Sequence, residues 1–151
     1  MSPGSALAEA MGKRAEILRL SEAAHDAVLL PRDPGGLSHG LRAALAARMA
    51  RHNRSPALAS HYDTLVARAG EAATALLAEP GTNVTDPRTA EIVRHADRLT
   101  LAPRDATRAD VEALSQVGVT DADIVRLAEL AAFVNYQVRV LAGLKLLGEM
   151  R

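Results

Sequence analysis

The chain has no cysteine and no tryptophan among its 151 residues. Without sulfur nucleophiles it can form no disulfide, zinc–thiolate site or iron–sulfur cluster, and it can run no thiol-based peroxidase mechanism. Aromatic side chains are limited to Tyr62, Phe133 and Tyr136, too few for a base-stacking platform or an aromatic cage. Net charge is also missing: 18 Lys and Arg balance 18 Asp and Glu. A nucleic-acid binder would carry a basic excess, so no nucleic-acid partner is expected. No run approaches the roughly 20 uninterrupted apolar residues that span a bilayer, so no membrane partner is expected. Met1-Ser2-Pro3-Gly4-Ser5 lacks the charged stub and apolar core of a signal peptide, and a cytoplasmic location is the expectation.

What is abundant is helix-forming apolar residue: 31 Ala and 21 Leu. β-branched residues are sparse and no segment alternates with period two, which predicts an all-α fold. The length suits one domain over residues 1–151. Proline and glycine punctuate it into about six helices.

The first helix is expected from about Leu7 to Leu30, with Leu7, Met11, Leu18, Ser21, Ala24 and Val28 on one stripe, stopping at Pro31. Ser38 can cap a second, which turns Leu41, Leu45, Met49 and His52 to the core. Ser55-Pro56 reads as N-cap and first helical residue of a third, running through Leu58, Leu65, Ala69, Ala72 and Leu76. Asp86-Pro87 repeats that signal for a fourth through Ile92, Val93 and Ala96, and a short fifth spans about Arg108 to Val117. Thr120 and Asp123 resemble a capping box before a last helix, Asp121 to Glu149. Its stripe is Ile124, Leu127, Ala131, Val134, Val138, Leu141 and Lys145. At about 1.5 Å per residue it is roughly 43 Å long, which suggests packing on a second subunit.

Gly118-Val119-Thr120-Asp121-Ala122-Asp123-Ile124, leading into a helix with Phe133, Asn135 and Arg139, resembles the carboxymuconolactone decarboxylase and alkylhydroperoxidase D-like superfamily. So does the helix–break–helix of Arg42-Ala43-Ala44-Leu45-Ala46 and Arg51-His52-Asn53-Arg54-Ser55-Pro56-Ala57-Leu58-Ala59-Ser60-His61-Tyr62. The likeness covers Leu37 to Glu149, and the Asp33-Pro34-Gly35-Gly36-Leu37 opening is similar to that of a Cys-free "CMD domain protein" branch. The resemblance implies an all-helical bundle assembling as a dimer, trimer or hexamer. In redox members a Glu, a Cys-x-x-Cys pair and a His form the site. A Cys at a helix N-terminus has its thiolate stabilised, and a His one turn on shuttles protons. Carried over to this sequence, those positions fall on Ala43, Ser55, Leu58 and Tyr62. All four are degenerate.

The remaining candidates each have two readings. Ser55, with His52 or His61 as base, is a nucleophile or merely a helix cap. His61 and Tyr62, with Asn135 and Arg139, line a polar cleft or satisfy packing and subunit-interface groups. In the first case Asn135 and Arg139 hold a carboxylate, His61 is general acid or base and Tyr62 donates a hydrogen bond. Arg42, Arg48, Arg51 and Arg54, with His39 and His52, form an anion- or nucleic-acid-binding surface or a solvated face neutralised across an oligomer contact, and the second is the expectation. His25, His39, His52, His61 and His95 show no metal-ligand spacing, and no metal or other cofactor is expected. Glu71, Glu79, Asp97 and Glu112 form no evident dyad.

Two functions follow from the resemblance. The first is a non-redox structural or small-ligand-binding homo-oligomer acting beside a Cys-containing relative. The second is a cofactor-free decarboxylase, hydrolase or isomerase of a small carboxylate or lactone.

Overall fold

The computed structural model describes residues 3–149. Among these residues the regular structure is entirely helical: α1 (Pro3–Gly12), α2 (Ala15–Leu29), α3 (His39–His52), α4 (Pro56–Ala69), α5 (Ala72–Ala75), α6 (Pro87–Leu101), α7 (Arg108–Gln116) and α8 (Asp121–Glu149). Short 3-10 turns follow α5 at Leu76–Ala78 and α6 at Pro103–Asp105. The expectation of an all-α chain holds.

Helix α3 is the hub. Every residue from Gly40 to Ala50 is buried, so the expected stripe of Leu41, Leu45 and Met49 is only part of what it hides. Five alanines let α2, α4, α5, α6 and α8 pack around it. The core joins Leu45 and Met49 to Leu29, Tyr62, Ile92, Leu114, Leu127, Leu130 and Val134. Burying one such side chain is worth roughly 1.5–3 kcal/mol, so this cluster dominates the stability.

Two expected helices are divided. The Leu7–Leu30 segment breaks at Lys13 and Arg14, where Arg14 N–H turns to Met11 O at 2.9 Å in place of the carbonyl four residues back. Gly12 weakens the helix there, and the break lets α1 and α2 pack separately on α8. The helix opened by Pro56 ends at Ala69 and does not run on to Leu76, because Gly70 takes the left-handed conformation (φ 67°) that caps it.

Caps mark most other boundaries. Ser38 Oγ accepts Leu41 N–H at 3.1 Å, and Asp86 accepts Thr89 N–H at 2.8 Å. Ser55 stands at the N-cap position of α4, yet its hydroxyl makes no capping bond. The Thr120–Asp123 box forms by half. Thr120 Oγ1 accepts Asp123 N–H at 3.2 Å, but the Asp123 carboxylate accepts from Gly36 N–H at 3.1 Å and from Arg126 at 2.9 Å. That diversion ties α8 to the loop before α3.

The arginine-rich interval is largely internal. Arg42 is 2% exposed and donates to the carbonyls of Leu37, Val28 and Pro34 at 2.8, 2.9 and 2.9 Å. Arg48 is held by both oxygens of Asp97 at 2.7 Å, an acid that His52 also meets at 2.9 Å. Arg51 pairs with Asp63 and Glu79. The acids that pair with Arg48 and Arg51 come from this same chain: Asp97 from α6, Asp63 from α4 and Glu79 just after the 3-10 turn that follows α5. Glu71 accepts from Ser38 Oγ and Gly40 N–H at the start of α3, and Glu112 pairs with Arg108.

Helix α8 is deep in the core as far as Asn135, beyond which Leu141, Leu146 and Leu147 are exposed. By length and composition it is the one described helix that could cross a membrane; Leu127, Leu130 and Val134 are instead packed in the protein core.

Candidate functional site

The break at Asn53–Ser55 turns the chain from α3 into α4 and decides where the candidate side chains go. Asn53 Nδ2 donates to Met49 O at 2.9 Å and to Asn135 Oδ1 at 3.0 Å, which fastens this corner to α8. Arg54 adopts a left-handed backbone (φ 55°), a conformation that costs a non-glycine residue on the order of 1 kcal/mol. From here α4 runs back along α3, with Leu58 and Tyr62 inward and His61 toward His25 of α2.

The four degenerate positions lie in different surroundings. Ala43 is buried in the centre of α3 and Tyr62 is fully buried, while Leu58 packs into the wall of a cleft. Ser55 borders a separate shallow depression with Arg51, Arg54 and Asp63. Neither candidate base reaches the Ser55 hydroxyl: His52 is bonded to Asp97 and His61 to His25.

The larger cleft, of about 710 Å³, opens between α1, α2, α4 and α8. Its wall is mostly aliphatic, with Leu58, Val140 and Leu144 among its residues, and its polar groups are Arg14, Ser21, His61, Tyr136 and Gln137. Arg14 is the one permanently charged residue in this lining and makes no ion pair among the described residues. Ser21 Oγ and Tyr136 Oη lie 2.9 Å apart.

His61 is linked to a chain of titratable groups. Its Nε2 lies 2.9 Å from His25 Nε2, and His25 Nδ1 lies 3.0 Å from Asp26 Oδ1. His61 is exposed at the cleft, the His25 side chain is 17% exposed and that of Asp26 74%, so a shielded imidazole joins the cleft side chain to a solvent-facing carboxylate. Tyr62 and Phe133 pack against the His25 ring. Burial lowers the pKa of His61, and the adjacent His25 and Arg68 add to the effect. His61 is accordingly neutral at pH 7, the state in which an imidazole accepts a proton.

Burial raises the pKa of Tyr62, so its hydroxyl stays protonated and donates to Gln137 Oε1. Asn135 and Arg139 lie away from this cleft. Asn135 is buried against Asn53 and donates to Ala131 O at 2.8 Å. Arg139 is exposed and bonds the Asn135 carbonyl at 3.0 Å. The geometry thus joins His61 and Tyr62 to His25, Asp26 and Gln137, and sets Asn135 and Arg139 apart. His25 and His61 are 36 positions apart, so no local motif links them. Among the described residues no cluster of three or more His, Cys, Asp or Glu is placed to hold a metal.

No protein-family model matches this sequence, and no curated protein matches it. Solved structures do. The chain is similar to an uncharacterized peroxidase-related protein from Silicibacter sp. TM1040, with TM-score 0.76 and 22% identity over 87% of this chain and 69% of that one. It is also similar to the alkylhydroperoxidase AhpD core of an uncharacterized peroxidase-related protein from Ralstonia eutropha JMP134, with TM-score 0.75 and 23% identity over 89% and 71%. The chain therefore has the alkylhydroperoxidase D-like all-α fold, here without a cysteine.

Proposed function

We propose that this protein is a non-redox version of the alkylhydroperoxidase D-like fold: a homo-oligomer that binds a small carboxylate-bearing molecule and acts beside a Cys-containing relative. The observation that carries this reading is the aliphatic cleft, lined by Arg14, which makes no ion pair among the described residues, and by Leu58, the position onto which the resemblance carries a redox cysteine. An apolar pocket with few convergent polar groups is the usual form of a small-molecule site. Arg14 suits a carboxylate because its guanidinium offers two parallel donors. The exposed leucines of α8 supply apolar surface for the oligomer contact.

Isothermal titration with octanoate tests it. Saturable binding to the wild-type chain, lost when Leu144→Trp fills the cleft, is the expected result. No binding by the wild type overturns the ligand. Light scattering that gives the mass of one protomer overturns the oligomer. Thiol-dependent turnover of cumene hydroperoxide by the purified protein overturns the non-redox assignment.

The hydrogen bond between His25 and His61 favours a second reading. On it, the same cleft is the site of a cofactor-free lyase, hydrolase or isomerase in which His61 is the acid or base.

A further inference from the structure

We infer that Asp26, His25 and His61 form a proton relay whose His61 end serves the cleft, and that its substrate is an enolisable oxo acid with an aliphatic tail. The inference rests on the second reading above and gives it a reaction, a substrate class and three further residues, Asp26, His25 and Gln137.

The order of atoms sets the direction of transfer. Asp26 is an acceptor, so it takes the hydrogen of His25 Nδ1 across 3.0 Å. His25 Nε2 is then a lone pair, and it accepts the hydrogen of His61 Nε2 across 2.9 Å. That leaves a lone pair on His61 Nδ1, which has no hydrogen-bond partner among the described residues. A neutral imidazole with one free nitrogen on a cleft, backed by a second imidazole and a solvent-exposed carboxylate, is arranged to take up a proton and pass its charge outward.

The cleft holds a matching donor. Tyr62 Oη gives its hydrogen to Gln137 Oε1, which fixes the amide and leaves the Gln137 Nε2 hydrogens without a partner among the described residues. Gln137 lines the same cleft as His61. A base and an amide N–H facing one apolar space fit proton abstraction next to a carbonyl, where negative charge moves from carbon to oxygen.

The step balances without oxidant or cofactor. The C–H bond beside the carbonyl breaks and a bond from hydrogen to His61 Nδ1 forms. The electron pair moves into an enolate whose oxygen accepts from Gln137 Nε2. The proton on His61 Nε2 moves to His25 Nε2, and the resulting imidazolium is stabilised by Asp26. Reversal returns a proton to carbon, so exchange or isomerisation is the net result. Arg14 provides the carboxylate contact and the aliphatic wall accommodates the tail.

The test uses 2-oxooctanoate in D2O and follows loss of its C3 proton signal by NMR. Wild-type protein should exchange this position about a hundredfold faster than His61→Gln, the scale of a positioned general base. Melting curves establish that His61→Gln is folded, with His61→Asn as a second variant at this exposed position. His25→Asn should lower the rate and move the pH at which it is half-maximal, because the relay behind His61 is cut. A merely structural role for His25 would leave that pH in place. Equal exchange by wild type and His61→Gln overturns the relay, as does an unchanged pH profile in His25→Asn. If octanoate still binds in that event, the ligand site survives and only the relay fails; if octanoate does not bind either, both readings fall.

Discussion

Arg42 is the side chain that holds the loop from Pro31 to Leu37 and the end of α2 against α3, and its replacement has a predictable cost. It is 2% exposed and has no carboxylate in hydrogen-bond contact; its partners are the carbonyls of Leu37, Val28 and Pro34 at 2.8–2.9 Å. Burial lowers its pKa, and nearby Arg126 acts in the same direction against the weaker pull of Asp123 and Glu129. Arg42→Met keeps much of the volume and removes all three bonds. Each hydrogen bond from a charged donor contributes roughly 1.5–3 kcal/mol. Removing the guanidinium also removes the several kcal/mol spent on taking that charge out of water, which offsets part of the loss. A net cost of about 3 kcal/mol remains, because three carbonyls lose their donor. For a chain of this length that lowers Tm by roughly 6–12 °C, read by circular dichroism. Arg42→Lys should fall at least as far: it keeps the buried charge on a point ammonium that cannot span three carbonyls. Since Val28 is on the same helix as His25, hydrogen exchange should also rise in α2. A Tm for Arg42→Met within about 2 °C of wild type would refute this account, as would Arg42→Lys melting with wild type.

Three further outcomes follow from particular groups. His95 is buried with Nδ1 unpaired, and its pKa is lowered by burial and by Arg94 against the opposing pull of Asp110 and Glu91. Stability from its neutral form is complete above the ordinary value of 6.5 and is lost as pH falls toward the lowered one. His95→Leu should therefore be stabilising at pH 5 relative to its effect at pH 8 in urea titrations, and equal effects at both would count against the mechanism. The Glu71 carboxyl is held below its ordinary 4.5 by Ser38, with Gly40 N–H and Thr74 adding to the effect against burial. Its contribution is present above pH 4.5 and disappears as pH falls through the lowered value, so Glu71→Gln should flatten that acid limb. Gly40 has room for no side chain, since a Cβ there would stand 2.5 Å from the Glu71 carboxyl carbon. Gly40→Ala should cost about 1–3 kcal/mol by denaturant unfolding, and a neutral result would mean that Glu71 moves aside freely.

Much of the fold is legible in the chain. Ser38, Asp86-Pro87 and Gly118 bracket helices that form within a residue or two of the expected bounds, because caps and prolines act on their own neighbours in sequence. The break between α1 and α2 is not expected from the sequence: Gly12 weakens the helix there but does not by itself end it, and packing on α8 sets the geometry. Asp123 reads as half of a capping box, yet its carboxylate is taken by Gly36, which is distant in sequence. Arg42 and Arg48 read as one basic face with Arg51 and Arg54, yet both are buried and their partners come from other elements. The candidate site divides in the same way. His61 and Tyr62 are recognisable from the resemblance around the Asn53–Pro56 corner, whereas His25 is one of five histidines without spacing, and Gln137 is one polar residue on a long helix.

The sequence by itself determined the class of fold, the absence of sulfur chemistry and most helix boundaries, because composition and capping are local properties of the chain. Tertiary structure decided which arginines are internal, where the cleft opens and that His61 meets His25 rather than Asn135 or Arg139. Those pairings depend on how α2, α4 and α8 rotate about one another, and an apolar stripe fixes that rotation only when the neighbour it packs against is in place.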